Sequence, residues 1–150
     1  MRVLVTGGAG YIGTHTVVEL LGQGHEVAII DNFDNGSPLA LDRVRELTNG
    51  PMEVHEADVR DTGRITRIAQ DFRPEAVIHF AGLKAVGEST EKPVEYYDVN
   101  VGGSLSLLRA MEAADCGRII FSSTATVYGE PDYLPYDEAH PLRPTSPYGR

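Results

Sequence analysis

Residues 2–13 read Arg2-Val3-Leu4-Val5-Thr6-Gly7-Gly8-Ala9-Gly10-Tyr11-Ile12-Gly13, a short β-branched run that breaks into glycines. Gly7, Gly10 and Gly13 keep a G-x-x-G-x-x-G spacing. Glycine reaches the positive φ of a tight turn, and without a Cβ it lets a ligand approach the backbone. From Tyr11 to Gln23 the residues Ile12, Val17, Leu20 and Leu21 fall near one helical face, and Gly24 closes the helix. A strand, a glycine turn and a helix in that order predict a phosphate cradle. The helix N-terminus offers free N–H groups and the positive end of its dipole to a pyrophosphate.

The next strand sharpens that reading. Glu26–Ile30 is a second apolar run, and it ends at Asp31, 21 residues beyond Gly10. This is close to the spacing of the acid that hydrogen-bonds the adenosine ribose of a bound dinucleotide. A carboxylate there repels a 2′-phosphate. No lysine or arginine stands between Asp31 and Ala40 to offset it, so NAD is favoured over NADP.

The same alternation continues along the chain. Leu39–Thr48 reads as a helix and Met52–Ala57 as a weaker third strand. Asp61 and Thr62 are candidate caps for a helix to Phe72, which Pro74 ends. Ala76–Phe80 is a fourth strand. Pro93 opens a long helix to Ala114, in which Tyr97, Val101, Leu105, Leu108 and Met111 recur at helical spacing, and Gly117–Ser122 is a fifth strand. The remainder, rich in proline, reads as loop. Apolar strands alternating with helices predict an α/β fold, a doubly wound parallel sheet of Rossmann-like type. Such sheets usually hold about six strands. Five therefore suggest an incomplete nucleotide-binding domain over residues 1–150, cut before its last strands.

Composition narrows the partners. The 150 residues suit one domain, and 41% hydrophobic with 23% charged residues allow a packed core. A formal charge of -9 argues against nucleic acid or an anionic membrane as the main partner. The single cysteine, Cys116, excludes an internal disulfide and reads as a small buried residue. No apolar run reaches membrane length and none resembles a signal-peptide core, so a cytoplasmic protein is expected. The five histidines form no metal-spaced cluster, and His79, inside the fourth strand, reads as a satisfied core histidine. Phe80-Ala81-Gly82 ends that strand at the rim where such sheets bind ligands. Asp58, followed by Val59, either accepts the adenine amino group or caps the next helix.

Several stretches together resemble the extended short-chain dehydrogenase/reductase superfamily: the glycine loop, His79-Phe80-Ala81-Gly82, Ser122-Ser123-Thr124 and Ser146-Pro147-Tyr148-Gly149. Phe80–Ser89, Phe121–Gly129, Tyr11-Ile12 within the glycine loop and Asp31-Asn32 are similar to the UDP-glucose 4-epimerase family, over the whole chain. The resemblance implies an NAD-dependent inversion of sugar carbon 4 that interconverts UDP-galactose and UDP-glucose by transient oxidation, in a homodimer. It implies Tyr148 as the base and Thr124, a threonine in place of the more common serine, as the proton relay. A tyrosine has a pKa near 10 when free, so the base needs positive charge beside it. The resemblance supplies that charge from the nicotinamide and from a lysine at position 152, outside this sequence, and it implies a substrate domain beyond residues 1–150 as well. Residues 1–150 alone are accordingly expected to be inactive.

The resemblance also assigns Lys84 to the cofactor ribose or nicotinamide side and to substrate. Ser122 is placed at the substrate; Ser123 lies on the same strand end, where alternate side chains face opposite sides. Val99 stands where the family often carries an asparagine that touches the cofactor, which leaves Asn100, a water or no contact in its stead. Rival readings are a sugar-nucleotide 4,6-dehydratase, a decarboxylase or another epimerase of the superfamily, and a catalytically silent NAD-binding module. A purely structural protein, with no cofactor, is a third class. Dehydratases carry an Asp-Glu pair after the threonine, where this chain has Ala125-Thr126.

Overall fold

The computed structural model describes residues Met1–Arg150. Five strands, β1 (Arg2–Thr6), β2 (Glu26–Asp31), β3 (Met52–Glu56), β4 (Ala76–His79) and β5 (Ile119–Phe121), form one parallel sheet in the order β3-β2-β1-β4-β5. The chain winds outward from β1 to β3, then returns to the other side of β1 for β4 and β5. This is the doubly wound arrangement expected, and its reversal opens a crevice at the C-terminal ends of β1 and β4.

Alternation within the strands sorts the core into two layers. Val3, Val5, Val27, Ile29 and Ile78 point to one face, where α1 (Tyr11–Gly22) supplies Val17 and Leu21, and α2 (Pro38–Leu47) supplies Leu41 and Val44. Leu4, Ala28, Ile30 and Val77 point to the other. There α3 (Thr62–Phe72) brings Ile65, Ile68, Ala69 and Phe72 against Leu107, Ala110 and Met111. α1 stops at Gly22, and Gly24 takes φ +78 with its N–H on the Leu21 carbonyl, while the His25 N–H reaches Leu20. These bonds form the glycine-closed end that the sequence pattern implied. Asp61 caps α3 by accepting the Arg64 N–H at 3.0 Å. Cys116 is buried and unpaired.

The long helix from Pro93 to Ala114 is not uniform. A six-residue α4 (Val86–Glu91), which no apolar repeat in the sequence announces, precedes it. Then come α5 (Pro93–Tyr96), a π-helical segment (Tyr97–Gly102) and α6 (Gly103–Ala113). The stripe chosen by periodicity lies largely on the outer side: Tyr97, Val101, Leu105 and Leu108 are exposed, while Met111 alone of the five is buried. The inner face is made by Gly103, Ser106, Leu107 and Ala110. Small residues win there because the helix lies close on α3 and on Val59, whose Cγ1 is 2.6 Å from where a Gly103 Cβ would stand. β5 is shorter than Gly117–Ser122, and Ile120 and Phe121 are exposed.

The segment after Ser122 is irregular, apart from a 3-10 turn at Ala125–Val127, but it is not unsupported. Tyr128 and Tyr136 stack at 4.9 Å, and buried His140 sets its ring edge-on to both. No helix is long and apolar enough to cross a membrane.

His79 ties the two halves of the sheet to α6. Ser104 Oγ donates to the Asn100 carbonyl at 2.6 Å, so His79 Nε2–H donates to Ser104 Oγ at 3.1 Å. That leaves Nδ1 to accept from the Thr6 hydroxyl. Burial, with Lys84 adding to it, lowers the His79 pKa to about 4. The unfolded chain protonates near 6.5 while the folded one stays neutral, so this stability is whole above pH 6.5 and drains away as pH falls towards 4. His79→Gln should cost stability at pH 7.5. In urea melts, the gap between wild type and variant should narrow by about 3 kcal/mol by pH 4; a gap constant with pH would show that His79 is not held neutral.

Candidate functional site

The glycine loop leaves β1 at its C-terminal end. Gly7 takes φ +70, and a Cβ there would lie 2.6 Å from the Ala81 backbone nitrogen at the end of β4. A Cβ on Gly13 would lie 2.3 Å from the Gly7 carbonyl oxygen. Neither position admits a side chain, because backbone blocks both. The turn therefore draws α1 tightly under the strand ends, as close helix–strand packing in a dinucleotide fold requires.

The start of α1 is unclaimed by the protein. Gly10 provides no side-chain cap, the first turn holds no acidic residue, and the Tyr11, Ile12 and Gly13 N–H groups find no protein acceptor. Orphan donors with the positive end of the helix dipole form a site for a phosphate oxygen. Ile12, placed by periodicity on the core face, is instead exposed at the mouth of the crevice beside Tyr11.

Asp31 closes the far side of the loop. It is buried, its Oδ2 accepts the Ala9 N–H at 2.9 Å, and its Oδ1 accepts the Phe33 N–H at 2.9 Å. A carboxylate has about four acceptor positions, so each oxygen keeps one for a further donor. Two adjacent ribose hydroxyls match that need. The β2–α2 loop folds over the acid, and a Cβ on Gly36 would sit 2.9 Å from Asp31 Oδ1.

These groups line one cavity of about 540 Å³. It collects every cofactor contact expected from sequence except Tyr148: Gly7, Gly10, Tyr11, Ile12, Gly13, Asp31, Asn32, Asp58, Val59, Phe80, Ala81, Gly82 and Lys84. Lys84 donates from Nζ to the Phe80 carbonyl at 2.7 Å. Desolvation lowers its pKa, against the pull of Asp31. An open cleft of about 870 Å³ lies among Arg2, Arg73 and Arg118. Its lining comes from the starts of β1, β4 and β5 and the ends of α3 and α6, at the end of the sheet opposite the glycine loop.

Asn100, an alternative for the contact missing at Val99, and Tyr96, which sequence reasoning did not single out, also shape the cavity. Asn100 Oδ1 accepts the Leu83 N–H at 2.8 Å, and its Nδ2 donates to the Leu83 carbonyl at 3.0 Å. Its amide thus holds the Gly82–Lys84 turn, and Asn100 is not among the residues lining the cavity, where Val99 presents an apolar face. Tyr96 is buried. It accepts the Ala85 N–H at 3.0 Å and donates to Glu88 at 2.9 Å. Only its place beside Tyr97 in a helical stretch was visible, with nothing local to mark its hydroxyl as a strut.

Thr124, Ser122 and Tyr148 stand beside this cavity rather than in its lining. Ser122 follows β5 directly, and its N–H donates to the His79 carbonyl. Thr124 Oγ1 accepts the Thr126 N–H at 3.2 Å and lies 3.0 Å from Thr126 Oγ1. The Tyr148 ring meets the Tyr96 ring edge-on at 6.4 Å, and Tyr96 is a cavity residue. Gly149 packs so closely that a Cβ would lie 2.8 Å from the Thr126 carbonyl oxygen. Residues 24 apart in sequence are therefore carried to one edge of the crevice.

Comparison with known proteins gives three concordant likenesses. A family profile described as GDP-mannose 4,6 dehydratase matches residues 4–150. The UDP-glucose 4-epimerase of Homo sapiens is 54% identical over 99% of this chain and 45% of its own length, and that of Bacillus subtilis (strain 168) is 50% identical over 100% and 44%. The crystal structure of UDP-glucose 4-epimerase from Bifidobacterium longum in complex with NAD+ and UDP superposes with a TM-score of 0.96 at 51% identity, covering 99% of this chain and 45% of that one. The chain thus spans less than half the length of these relatives. Gly13→Ala should abolish dinucleotide binding while leaving the far core intact, because the methyl group must displace backbone. Titration with the dinucleotide checks this; unchanged affinity would remove the loop from the site.

Proposed function

The chain belongs to the family described as GDP-mannose 4,6 dehydratase, and on that premise we propose that it is the NAD-binding part of a UDP-glucose 4-epimerase. The observation that carries this reading is the uncapped start of α1 facing a carboxylate, Asp31, with two acceptor positions to spare. In this reading the Tyr11–Gly13 N–H groups hold the pyrophosphate, Asp31 the adenosine ribose, and Asp58 the adenine amino group. Phe80, Ala81, Gly82 and Lys84 border the nicotinamide half. The cavity fits NAD rather than NADP, since Asp31 would face a 2′-phosphate with no lysine or arginine in the following loop.

When bound, the nicotinamide supplies a hydride acceptor and donor at sugar carbon 4, so oxidation and return reduction leave the cofactor as it began. The chain's own residues manage the proton. Tyr148 takes it from the sugar hydroxyl and gives it back, and Thr124 relays it. Lys84 and Ser122 hold substrate beside them. In the same reading a substrate domain and the lysine that the resemblance implies at position 152 fall outside residues 1–150, since the relatives are more than twice as long. The exposed stripe of Val94, Tyr97, Val101, Leu105 and Leu108 serves as the contact between two copies in a homodimer, in the cytoplasm and in galactose metabolism.

The family name raises a dehydratase as the second reading. Elimination of water needs a further acid and base beside the sugar, and Ala125 and Thr126 provide no carboxyl group there. The native-length protein should therefore convert UDP-galactose to UDP-glucose and form no 4-keto-6-deoxy sugar. Tyr148→Phe should lower kcat by about 10²–10⁴-fold with bound NAD retained. A coupled UDP-glucose assay with product analysis tests both points; full turnover by the phenylalanine variant would discard Tyr148 as the base.

A further inference from the structure

We propose that Arg60 is a positioning residue for cofactor recognition, fixing Asp58 as a one-sided acceptor for the exocyclic amino group of adenine. The inference rests on the NAD-binding reading above and extends it to a residue outside the predicted site. Arg60 grips Asp58 three times. Its backbone N–H and Nε donate to Oδ1 at 2.8 and 3.0 Å, and Nη2 donates to Oδ2 at 2.6 Å. Of about four acceptor positions on a carboxylate, one on Oδ2 is left by Arg60; the Asn32 amide stands near Asp58 and helps to keep it ionised, but that amide's closest bond is to Asp34 at 2.7 Å. Asp58 lines the cavity with Asn32 and Val59, so the remaining position belongs to the adenine end.

The grip also sets the charge of the acceptor. Arg60 holds the Asp58 carboxyl below its ordinary range, against burial, while its own guanidinium is pushed up by Asp58 and Asp98. An ionised carboxylate can only accept, which suits an amino group and rejects a carbonyl oxygen. Hypoxanthine differs from adenine by that replacement at the six position, so the pair discriminates between the two bases.

Arg60 is anchored in turn. Nη1 donates to Asp98 Oδ2 at 2.7 Å, from the π-helical segment that also carries Val99 and Asn100. π-helical turns recur where a helix must aim a side chain out of register. Gly103, at the end of the segment, lies against Val59. The β3–α3 loop is therefore held on both sides, by an ion pair at Arg60 and by packing at Val59.

The test compares binding of NAD and of nicotinamide hypoxanthine dinucleotide to the native-length protein after bound dinucleotide has been removed. Wild type should prefer NAD by roughly tenfold or more. Arg60→Ala should lose that preference through weaker NAD binding, with the hypoxanthine form little changed. Arg60→Lys should recover only part of it, since lysine cannot grip two oxygens at once. Asp98→Asn should fall between, and it serves as the probe should Arg60→Ala fail to fold. An Arg60→Ala protein, or an Asp98→Asn protein in its place, that keeps the full preference would overturn the role of Arg60 while leaving Asp58 at the adenine. No preference in wild type, with none altered by Asp58→Asn, would instead overturn the placement of adenine at Asp58 and the proposal with it.

Discussion

The crevice exists because two backbone segments meet where no side chain fits. Gly7 abuts the start of the turn after β4, and Gly13 abuts Gly7 itself. This contact draws the first turn of α1 beneath the two strand ends at which the sheet order reverses. The uncapped N–H groups, the buried Asp31 and the Phe80–Lys84 turn all take their positions from it. A methyl group at either glycine would press on backbone rather than on a yielding side chain, so strain could not be relieved locally.

The polar groups of the site are mostly spoken for twice. Asp31 supports the glycine loop and the loop after β2 while keeping acceptor positions open. Asn100 puts both ends of its amide on Leu83. Tyr96 is a strut between Ala85 and Glu88 and also a wall against the Tyr148 ring. Such double use restricts the rotamers of the residues that face the cavity, so little ordering is left to be done when a ligand enters. Below them His79 joins β1, β4 and α6 in a directed run, from the Thr6 hydroxyl through the imidazole to the Ser104 hydroxyl and on to the Asn100 carbonyl.

The sheet, the glycine turn and Asp31 were legible because each rests on a local rule. An apolar run of four to six residues makes a buried strand, glycine spacing makes the turn, and the acid falls at the end of the next strand. The helix at Val86–Glu91 was not legible, being six residues with Gly87 and no repeating apolar position. Helical spacing put Tyr97, Val101, Leu105, Leu108 and Met111 on one face, but the first four turn outward and Met111 inward, which spacing could not say. Gly103 and Ser106 decided that by allowing close approach to Val59 and to Thr62, whose hydroxyl lies 2.7 Å from that of Ser106. The Arg60–Asp98 pair joins residues 38 apart, and no pattern in either neighbourhood announces it. The aromatic stack of Tyr128, Tyr136 and His140 was hidden for the same reason, in a stretch whose prolines signal only irregular backbone.

The π-helical segment has a bearing on how such chains can change over time. It accommodates an extra residue between two ordinary helical stretches, and each residue added to or removed from a helix turns everything beyond it by about 100°. A residue gained or lost in the α-helical turns on either side would keep Leu107 seated and swing Asp98 away from Arg60, or the reverse. The π turn between Tyr97 and Gly102 instead takes up one residue of length without turning its flanks. The segment behaves as an expansion joint between the packed end of the helix and its cavity-facing end, the one stretch of the helix where a change of length need not disturb either.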